Sequence, residues 1–463
     1  MTARSQRLKL INQQSDAQIC AETGNAPYGQ IAASGLVSRS LKIIFVLLLV
    51  VAASAETGGQ TNRLSLAEAK RLAFQRNWDL LAARSNVDAA TAAKIVAREF
   101  PNPNLAFSTA KISLDNHPSH TDSGNGLWER NYDTLAAINQ LFEIGGKRSS
   151  RQASASAGLR SAQARFQDAR RTLDLAVSQT YVAALLAQSN VEILEQSAAS
   201  LRHEARIAET RLQAGDISLA DKSQIEIAAE RLELDAQTAR ANSATARIAV
   251  ENLIGVASPT GRWIADDSLG TLAGQPVPEN DEVDLMRPDW LAAQAAVTKA
   301  EADLKLQRAM RIPDPTLLFQ YEHEPFDQPN TLGIGFSFPL PLWNRNRGNI
   351  LAAKAARDQV EQQRNKVQAQ IAAEIAAARV AYQAAVARLR RYREIIEPRS
   401  AEILKIVAFA YEKGSASLLD LLSAERNDND IRLATAQAAA DAVTAAAGLR
   451  AALNFPSQEL KSP

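Results

Sequence analysis

Cysteine is nearly missing from this 463-residue sequence: the only one, Cys20, lies upstream of a predicted cleavage site. Once that segment is removed no thiol remains, so disulfides, zinc–thiolate cages and cysteine catalysis are excluded. Stability must then come from packing or association. Histidine is scarce as well, with four residues, three of them in or beside predicted loops. That leaves little for a metal cage or a Ser/His/Asp set, so neither a cofactor nor an enzyme activity is expected. No excess charge of either sign exists, because 52 basic residues nearly cancel 51 acidic ones. A nucleic-acid partner is therefore not expected. Aromatic residues make up only 5%, and long stretches are dominated by Ala, Gln, Arg and Glu, a helix-forming composition. No apolar run approaches the length of a membrane-spanning helix, so any membrane crossing must use β-strands.

One short apolar run is present. From Arg39 the chain reads Arg-Ser-Leu-Lys, then is apolar from Ile43 to Ala53, then ends in Ala53-Ser54-Ala55. A basic flank, an apolar core of about 11 residues and an Ala-x-Ala site are the pattern of a secretory signal peptide. Cleavage after Ala55 makes Glu56 the new N-terminus. The competing reading is a transmembrane anchor, but the run falls short of the roughly 20 residues a bilayer needs. The first 38 residues are polar and unpatterned, and translation beginning near Val37 is an alternative. Cys20 lacks the apolar run that precedes a lipidated cysteine.

The remainder repeats itself. Phe100-Pro101-Asn102-Pro103-Asn104-Leu105 is echoed by Ile312-Pro313-Asp314-Pro315-Thr316-Leu317. Upstream, Arg76-Asn77-Trp78 and Arg287-Pro288-Asp289-Trp290 each open a helical stretch. Downstream, Gly215-Asp216-Ile217-Ser218-Leu219-Ala220-Asp221 is echoed by Gly414-Ser415-Ala416-Ser417-Leu418-Leu419-Asp420. The landmarks recur in one order, about 200 residues apart, as duplication requires. The expected organisation is an N-terminal extension and signal at 1–55, a first repeat at 56–254 and a second at 285–454. A Gly/Pro/Asp-rich connector at 255–284 separates the repeats, and a short tail occupies 455–463.

Each copy reads helix, Pro-x-Pro, strand, loop, strand, very long helix, Gly turn, helix. No proline occurs between Ser119 and Ser258, and Leu159, Phe166, Leu173, Val177, Tyr181 and Leu185 recur at spacings of four and seven. In the second copy Val360, Val367, Ile371, Ile375, Tyr382, Val386, Leu389, Ile396, Ile403, Val407 and Tyr411 keep three-, four- and seven-residue steps. That is a narrow coiled-coil stripe. A rod of about 65 residues extends about 98 Å. Pro398 is expected to kink the second rod.

In the strands, Leu332, Ile334, Phe336 and Phe338 share one face, and Leu317, Phe319 and Tyr321 lie opposite Thr316 and Gln320. In the first copy Leu135, Ala137 and Leu141 read as the apolar face, spoiled by Asn139, against Thr134, Ala136 and Gln140. Segments of roughly 8–10 residues suit a membrane-crossing strand. A small soluble sheet capping a coiled coil is the alternative. Four strands leave two edges that lipid cannot satisfy, so the membrane reading demands an oligomer whose strands share one barrel.

Export, tandem repeats, short paired strands, long rods and Gly-turn tips together resemble the TolC-like outer-membrane efflux family, from about Leu64 to Asn454. Two motifs are similar to its heavy-metal branch, of the cobalt–zinc–cadmium type. They are Phe142-Glu143-Ile144-Gly145-Gly146-Lys147-Arg148 and Pro339-Leu340-Pro341-Leu342-Trp343-Asn344-Arg345-Asn346-Arg347-Gly348. The resemblance implies a mainly helical fold with membrane β-structure: a homotrimer in which a twelve-stranded outer-membrane β-barrel continues into a long α-helical periplasmic tunnel. It also implies a periplasmic adaptor and an inner-membrane, proton-driven RND transporter as partners, and a passive duct without catalysis.

The resemblance further implies a tunnel that narrows at the helix tips. Asp420 matches an acidic ring after the second tip, Asp221 is its first-copy counterpart, and Tyr411 matches a tyrosine in the links that close the tip. Ala416 and Ser423 depart from the pattern, standing where a basic link residue and a second acid often occur. Independently of any family, Asp221 and Asp420 read as first-turn acids, with Ser218 and Ser417 as N-caps. Gly215 and Gly414 read as left-handed helix ends. His117 and His120 sit in the first inter-strand loop and, like His323 beside Glu322 and Glu324, read as solvated residues. Ile144 to Ser149 lacks the spacing of a phosphate loop and reads as a strand-to-helix turn. The Arg345–Arg347 cluster reads as a solvated bend near the membrane interface. A periplasmic adaptor and a secreted coiled-coil protein are the competing functions, and drug or organic-solute export is the rival to metal export.

Overall fold

The computed structural model describes residues 62–110, 133–275, 277, 287–324 and 330–455. The predicted signal segment, Cys20, His117, His120, the end of the connector and the tail beyond Phe455 lie outside the described residues.

The first repeat opens with a short strand, β1 (Asn62–Leu64), and two helices, α1 (Leu66–Arg76) and α2 (Trp78–Val96). Asn77 divides the helices. Its Oδ1 accepts from the Leu80 N–H at 3.0 Å as the N-cap of α2, and its Nδ2 donates to the Leu253 carbonyl. Strands β2 (Asn104–Ala110) and β3 (Asp133–Leu141) follow, then α3 (Lys147–Ala214) and α4 (Leu219–Ile254). Strand β4 (Trp263–Ala265) and α5 (Leu269–Ala273) lead to the second repeat. That copy runs α6 (Pro288–Ala309), β5 (Thr316–His323), β6 (Thr331–Ser337), α7 (Arg347–Arg391), a π-helical turn (Tyr392–Ile396), α8 (Glu397–Glu412) and α9 (Leu418–Ala452).

Helix α3 is unbroken for 68 residues, about 102 Å at 1.5 Å per residue. It packs along α4, α6 and α9, while α9 also packs on α7 and α8. Of the apolar stripe, Val177, Tyr181, Leu185, Ile371, Ile375, Leu389 and Tyr411 are buried, whereas Val386 and Ile403 remain exposed. The expected disturbance at Pro398 takes the form of the π-helical turn just before it. Proline has no N–H for the carbonyl four residues back, and its ring crowds that turn. One wider turn absorbs both defects.

Where β1 pairs in parallel with β4, a core forms around Tyr181, Val177, Trp263, Ala438 and Val443. The rings of Tyr181 and Trp263 stack at 5.9 Å. The Tyr181 hydroxyl donates to the Leu64 carbonyl at 2.7 Å and to Asp267 at 2.9 Å, and burial raises its pKa. A buried phenol with both partners fixed ties the long helix to the small layer beside it.

The other four strands form one antiparallel sheet in the order β2-β3-β5-β6, so β2 and β6 are its edges. Register corrects the face expected for β3. Ile138 lies opposite Phe319, and Ala136 opposite Tyr321. Phe319 and Tyr321 in turn face Ile334 and Leu332. The set Thr134, Ala136, Ile138 and Gln140 therefore belongs to the apolar face. Leu135, Ala137, Asn139 and Leu141 lie on the other face with Thr316, Gln320 and Glu322. Asn139 is no flaw there, because it stands on the polar side. Among the described residues no helix is long and apolar enough to cross a membrane.

The sequence Ile144-Gly145-Gly146-Lys147-Arg148 is the turn from β3 into α3, with Gly145 at φ 71° and Gly146 at φ 76°. Lys147 is buried and pairs with Asp314 at 2.7 Å, while its ammonium also donates to the Ile312 carbonyl. Asp314 accepts from the Ile144 N–H at 2.9 Å. Arg148 stacks over Phe100 and donates to the Arg98 carbonyl. One turn of the first repeat thus grips the Pro-x-Pro segments of both.

Candidate functional site

The two hairpin tips are built alike. Helix α3 ends where Gly215 adopts φ 82°, its N–H donating to the Leu212 carbonyl and that of Asp216 to the Arg211 carbonyl. Gly414, at φ 75°, follows α8 in the same way, its N–H donating to the Tyr411 carbonyl. Three residues after each glycine a serine opens the next helix. The Asp221 N–H donates to Ser218 Oγ at 3.1 Å, and its carboxylate accepts from the Ser218 hydroxyl at 2.8 Å. The Asp420 N–H donates to Ser417 Oγ at 3.2 Å, and the Ser417 hydroxyl returns a bond to the carboxylate at 2.7 Å. Each is a capping box, in which two orphan donors of the helix end are satisfied reciprocally. The Ser417 hydroxyl and then its N–H hold the Asp420 carboxyl below the usual carboxylate range. Asp420 is exposed and charged at neutral pH.

Tyr411 occupies a different place. It is buried with Ala208 and Ile225 of the first hairpin and Leu418 and Leu421 of the second. Its hydroxyl has no hydrogen-bond partner among the described residues, and burial raises its pKa, opposed by the Arg211 charge and aided by the Asp221 and Glu204 charges. Arg211 lies 5.1 Å from the ring centroid and donates to the Tyr411 carbonyl at 3.4 Å. Tyr411 and Asp221 are thus brought within each other's field, whereas Asp420 takes its hydrogen bonds from Ser417. Ala416 is half-buried against this cluster.

Two cations at the tip escaped sequence reasoning. Arg211, from the first hairpin, supplies a positive charge where the second has Ala416. Lys222 pairs with Glu209 across the first hairpin and with Glu226 along α4 at 3.4 Å. The available signal was their position, since Arg211 stands four residues before the helix-ending glycine and Lys222 directly follows Asp221. His323 lies 3.3 Å from Asn330 Oδ1. Among the described residues no group of three or more His, Cys, Asp or Glu side chains is placed to hold a metal.

Two long helical hairpins carried on a small antiparallel sheet define the TolC-like class of outer-membrane channels. The sequence profile described as "Outer membrane efflux protein" matches residues 70–256 and 281–454. The chain belongs to the outer membrane efflux protein family and is an outer-membrane protein. It is 26% identical over 364 residues to the "Cobalt-zinc-cadmium resistance protein CzcC" of Cupriavidus metallidurans, covering 78% of this chain and 83% of that one. The fold is similar to that of CusC, with a TM-score of 0.72 at 18% identity, covering 86% of this chain and 95% of the other. It is also similar to VceC of Vibrio cholerae, with a TM-score of 0.66 at 22% identity over 84% and 95%.

Proposed function

We propose that this chain is the exit duct of a tripartite efflux pump for heavy-metal cations, working as a homotrimer. The observation that carries the trimer is the sheet. Leu105, Phe107, Ile138, Phe319, Leu332, Ile334 and Phe336 all project from one face and are exposed, Leu332 to 86%. The opposite face carries Ser108, Asn139, Gln320 and Gly333. A continuous apolar wall on one side, and on the other a face where Leu135, Leu141 and Leu318 are interspersed with polar and small residues, suit lipid outside and an aqueous lumen inside. The edges β2 and β6 have 7 residues each and run in opposite directions. An edge β6 therefore accepts the β2 of a second copy as an antiparallel partner, and three copies close twelve strands with no edge left in lipid.

The apolar parity continues past β6 through Phe338, Leu340 and Leu342 to Trp343, which is 92% exposed and followed by Arg345 and Arg347. That order, apolar then Trp then Arg, suits the lower membrane–water interface. The two repeats, 56–254 and 285–454, each supply one strand pair and one hairpin, joined by the connector 255–284. Below the sheet the helices form the periplasmic tunnel, where a periplasmic adaptor and an inner-membrane RND transporter dock. Asp420 and Asp221 supply the acidic aperture, Tyr411 the contact that keeps it shut, and Gly215 and Gly414 the turns. The duct is passive and performs no catalysis.

The metal assignment rests on the similarity to CzcC together with the Phe142–Arg148 and Pro339–Gly348 motifs. Two measurements test the reading. The protein in outer-membrane detergent extracts should run as a heat-modifiable, SDS-resistant trimer, and a soluble periplasmic monomer rejects the channel. Deleting it should lower tolerance to zinc, cobalt or cadmium. Unchanged metal tolerance with lowered tolerance to organic toxins moves the assignment to organic-solute export.

A further inference from the structure

Between the tips and the core around Tyr181, the two repeats meet along a partly buried polar seam. On α3, Ser197, Ser200 and Glu204 recur at three- and four-residue spacing. Facing them on α9 are Glu425, Asp428, Asn429 and Arg432. The Ser197 hydroxyl donates to Asn429 Oδ1 at 2.9 Å, and the Ser200 hydroxyl to Glu425 Oε1 at 3.2 Å. Asp428 is 3% exposed and Glu425 is 9% exposed. Arg432 pairs with Asp428 Oδ2 at 2.7 Å, while the buried Oδ1 has no partner among the described residues.

The charges here do not balance. The charged groups that act on Glu425 are Asp428 and Arg432 on its own helix and Glu204 on α3; one step out, His203 on α3 and Glu412 on α8 act on Glu204. Three carboxyls thus share one guanidinium, which Asp428 already holds. Two carboxylates one helical turn apart on a buried face cannot both ionise at low cost. Asp428 Oδ1 is thus an acceptor without a donor at 97% burial, and among the described residues no group of three ligands is placed for a metal.

We infer that Glu425 carries a proton where it meets Ser200 of α3, and that its loss separates α9 from α3 and opens the seam between the repeats. The inference rests on the channel reading above. Burial raises the Glu425 pKa, the like charges of Asp428 and Glu204 add to this, and the Ser200 hydrogen bond opposes it. A raised carboxyl favours the packed state fully at pH below the ordinary carboxylate value. That preference is lost as pH climbs through the raised pKa. Opening therefore becomes easier with rising pH, by about tenfold per protomer for each pH unit inside that window.

The test is conductance of the purified trimer in planar bilayers as a function of pH, with SDS-resistant trimer scored separately so that failure to form a channel is read on its own. Wild type should open as pH rises, and Glu425→Gln, which keeps a donor in place, should stay closed across the same range. Ser200→Ala, which removes the opposing bond, should move the transition to higher pH, and Asp428→Asn should move it lower. A protonated-carboxyl stretch in the infrared spectrum at neutral pH should vanish in Glu425→Gln. An unaltered pH profile in Glu425→Gln, or an unaltered carboxyl band, overturns the inference. Should Glu425→Gln fail to assemble, an unmoved midpoint in Ser200→Ala overturns it as well.

Discussion

The guanidinium of Arg287 donates to the Ala452 carbonyl at 3.1 Å, joining the first helix of the second repeat to the end of its last. Asn77 does the same in the first repeat through the Leu253 carbonyl at 3.0 Å. Different side chains thus serve one closure in the two copies. Arg287 is only 1% exposed and also pairs with Asp289 at 2.7 Å and Glu374 at 2.8 Å. Those carboxylates remain reachable by water, so removing the guanidinium should cost less than the roughly 3–5 kcal/mol of a fully buried broken pair. Arg287→Leu is expected to destabilise the protein by about 2–3 kcal/mol, read as a lower melting temperature of the detergent-solubilised protein.

Adjacent glycines separate backbone strain from collision. A Cβ on Gly145 would stand 2.8 Å from the Ile312 side chain, whereas one on Gly146 meets only Ser149 Oγ at 3.4 Å. Both backbones are left-handed, which costs a non-glycine residue about 1 kcal/mol. Gly146→Ala should lose about that much. Gly145→Ala should lose about 2–3 kcal/mol, because Ile312 and the Pro-x-Pro turn must also shift. Equal melting temperatures for the two variants would contradict this geometry.

The Asp420 cap responds to acid in the opposite direction to the polar seam. Since the Asp420 carboxyl is held below its usual range, its capping contribution is present above the ordinary carboxylate pKa. It is lost as pH falls through the lowered value. Amide exchange at the start of α9, corrected for intrinsic rate, should therefore speed up in acid, and Asp420→Asn should abolish the dependence. Ser417→Ala should weaken the same cap by about 1 kcal/mol at neutral pH.

The two faces of the sheet should tolerate charge unequally. Ile334→Arg places a cation on the apolar face, where a membrane-embedded position costs about 2–4 kcal/mol. Ser108→Arg places it on the polar face. The first should cut the yield of SDS-resistant trimer in the outer membrane, and the second should leave yield intact while altering conductance. Equal yields would remove the lipid-facing assignment.

Much of the architecture was legible because it repeats. Absence of proline marked α3, and Gly-x-x-Ser with an acid three residues later marked both tips, since helix ends draw on few side-chain chemistries. The faces of β3 were not legible. Leu135 and Ala137 are as apolar as Ala136 and Ile138, so alternation alone does not choose, and only pairing with Phe319 and Tyr321 decides. The burial of Tyr411 by the other hairpin and the stacking of Arg211 on it were hidden too. Both depend on contacts between residues some 200 positions apart, which no local pattern encodes. The polar seam escaped for the same reason, as Ser200 meets Glu425 only once the repeats lie side by side.

Duplication without identity also sets a valence. Gly–x–x–Ser turns recur at both tips, but Arg211 stacks on Tyr411 in one direction only, with no mirror-image contact from the second hairpin to the first among the described residues. Around the proposed ring of three chains the tips therefore alternate between two kinds. A docking protein that grips the shared turn counts six places to land, and one that reads the stacked aromatic counts three.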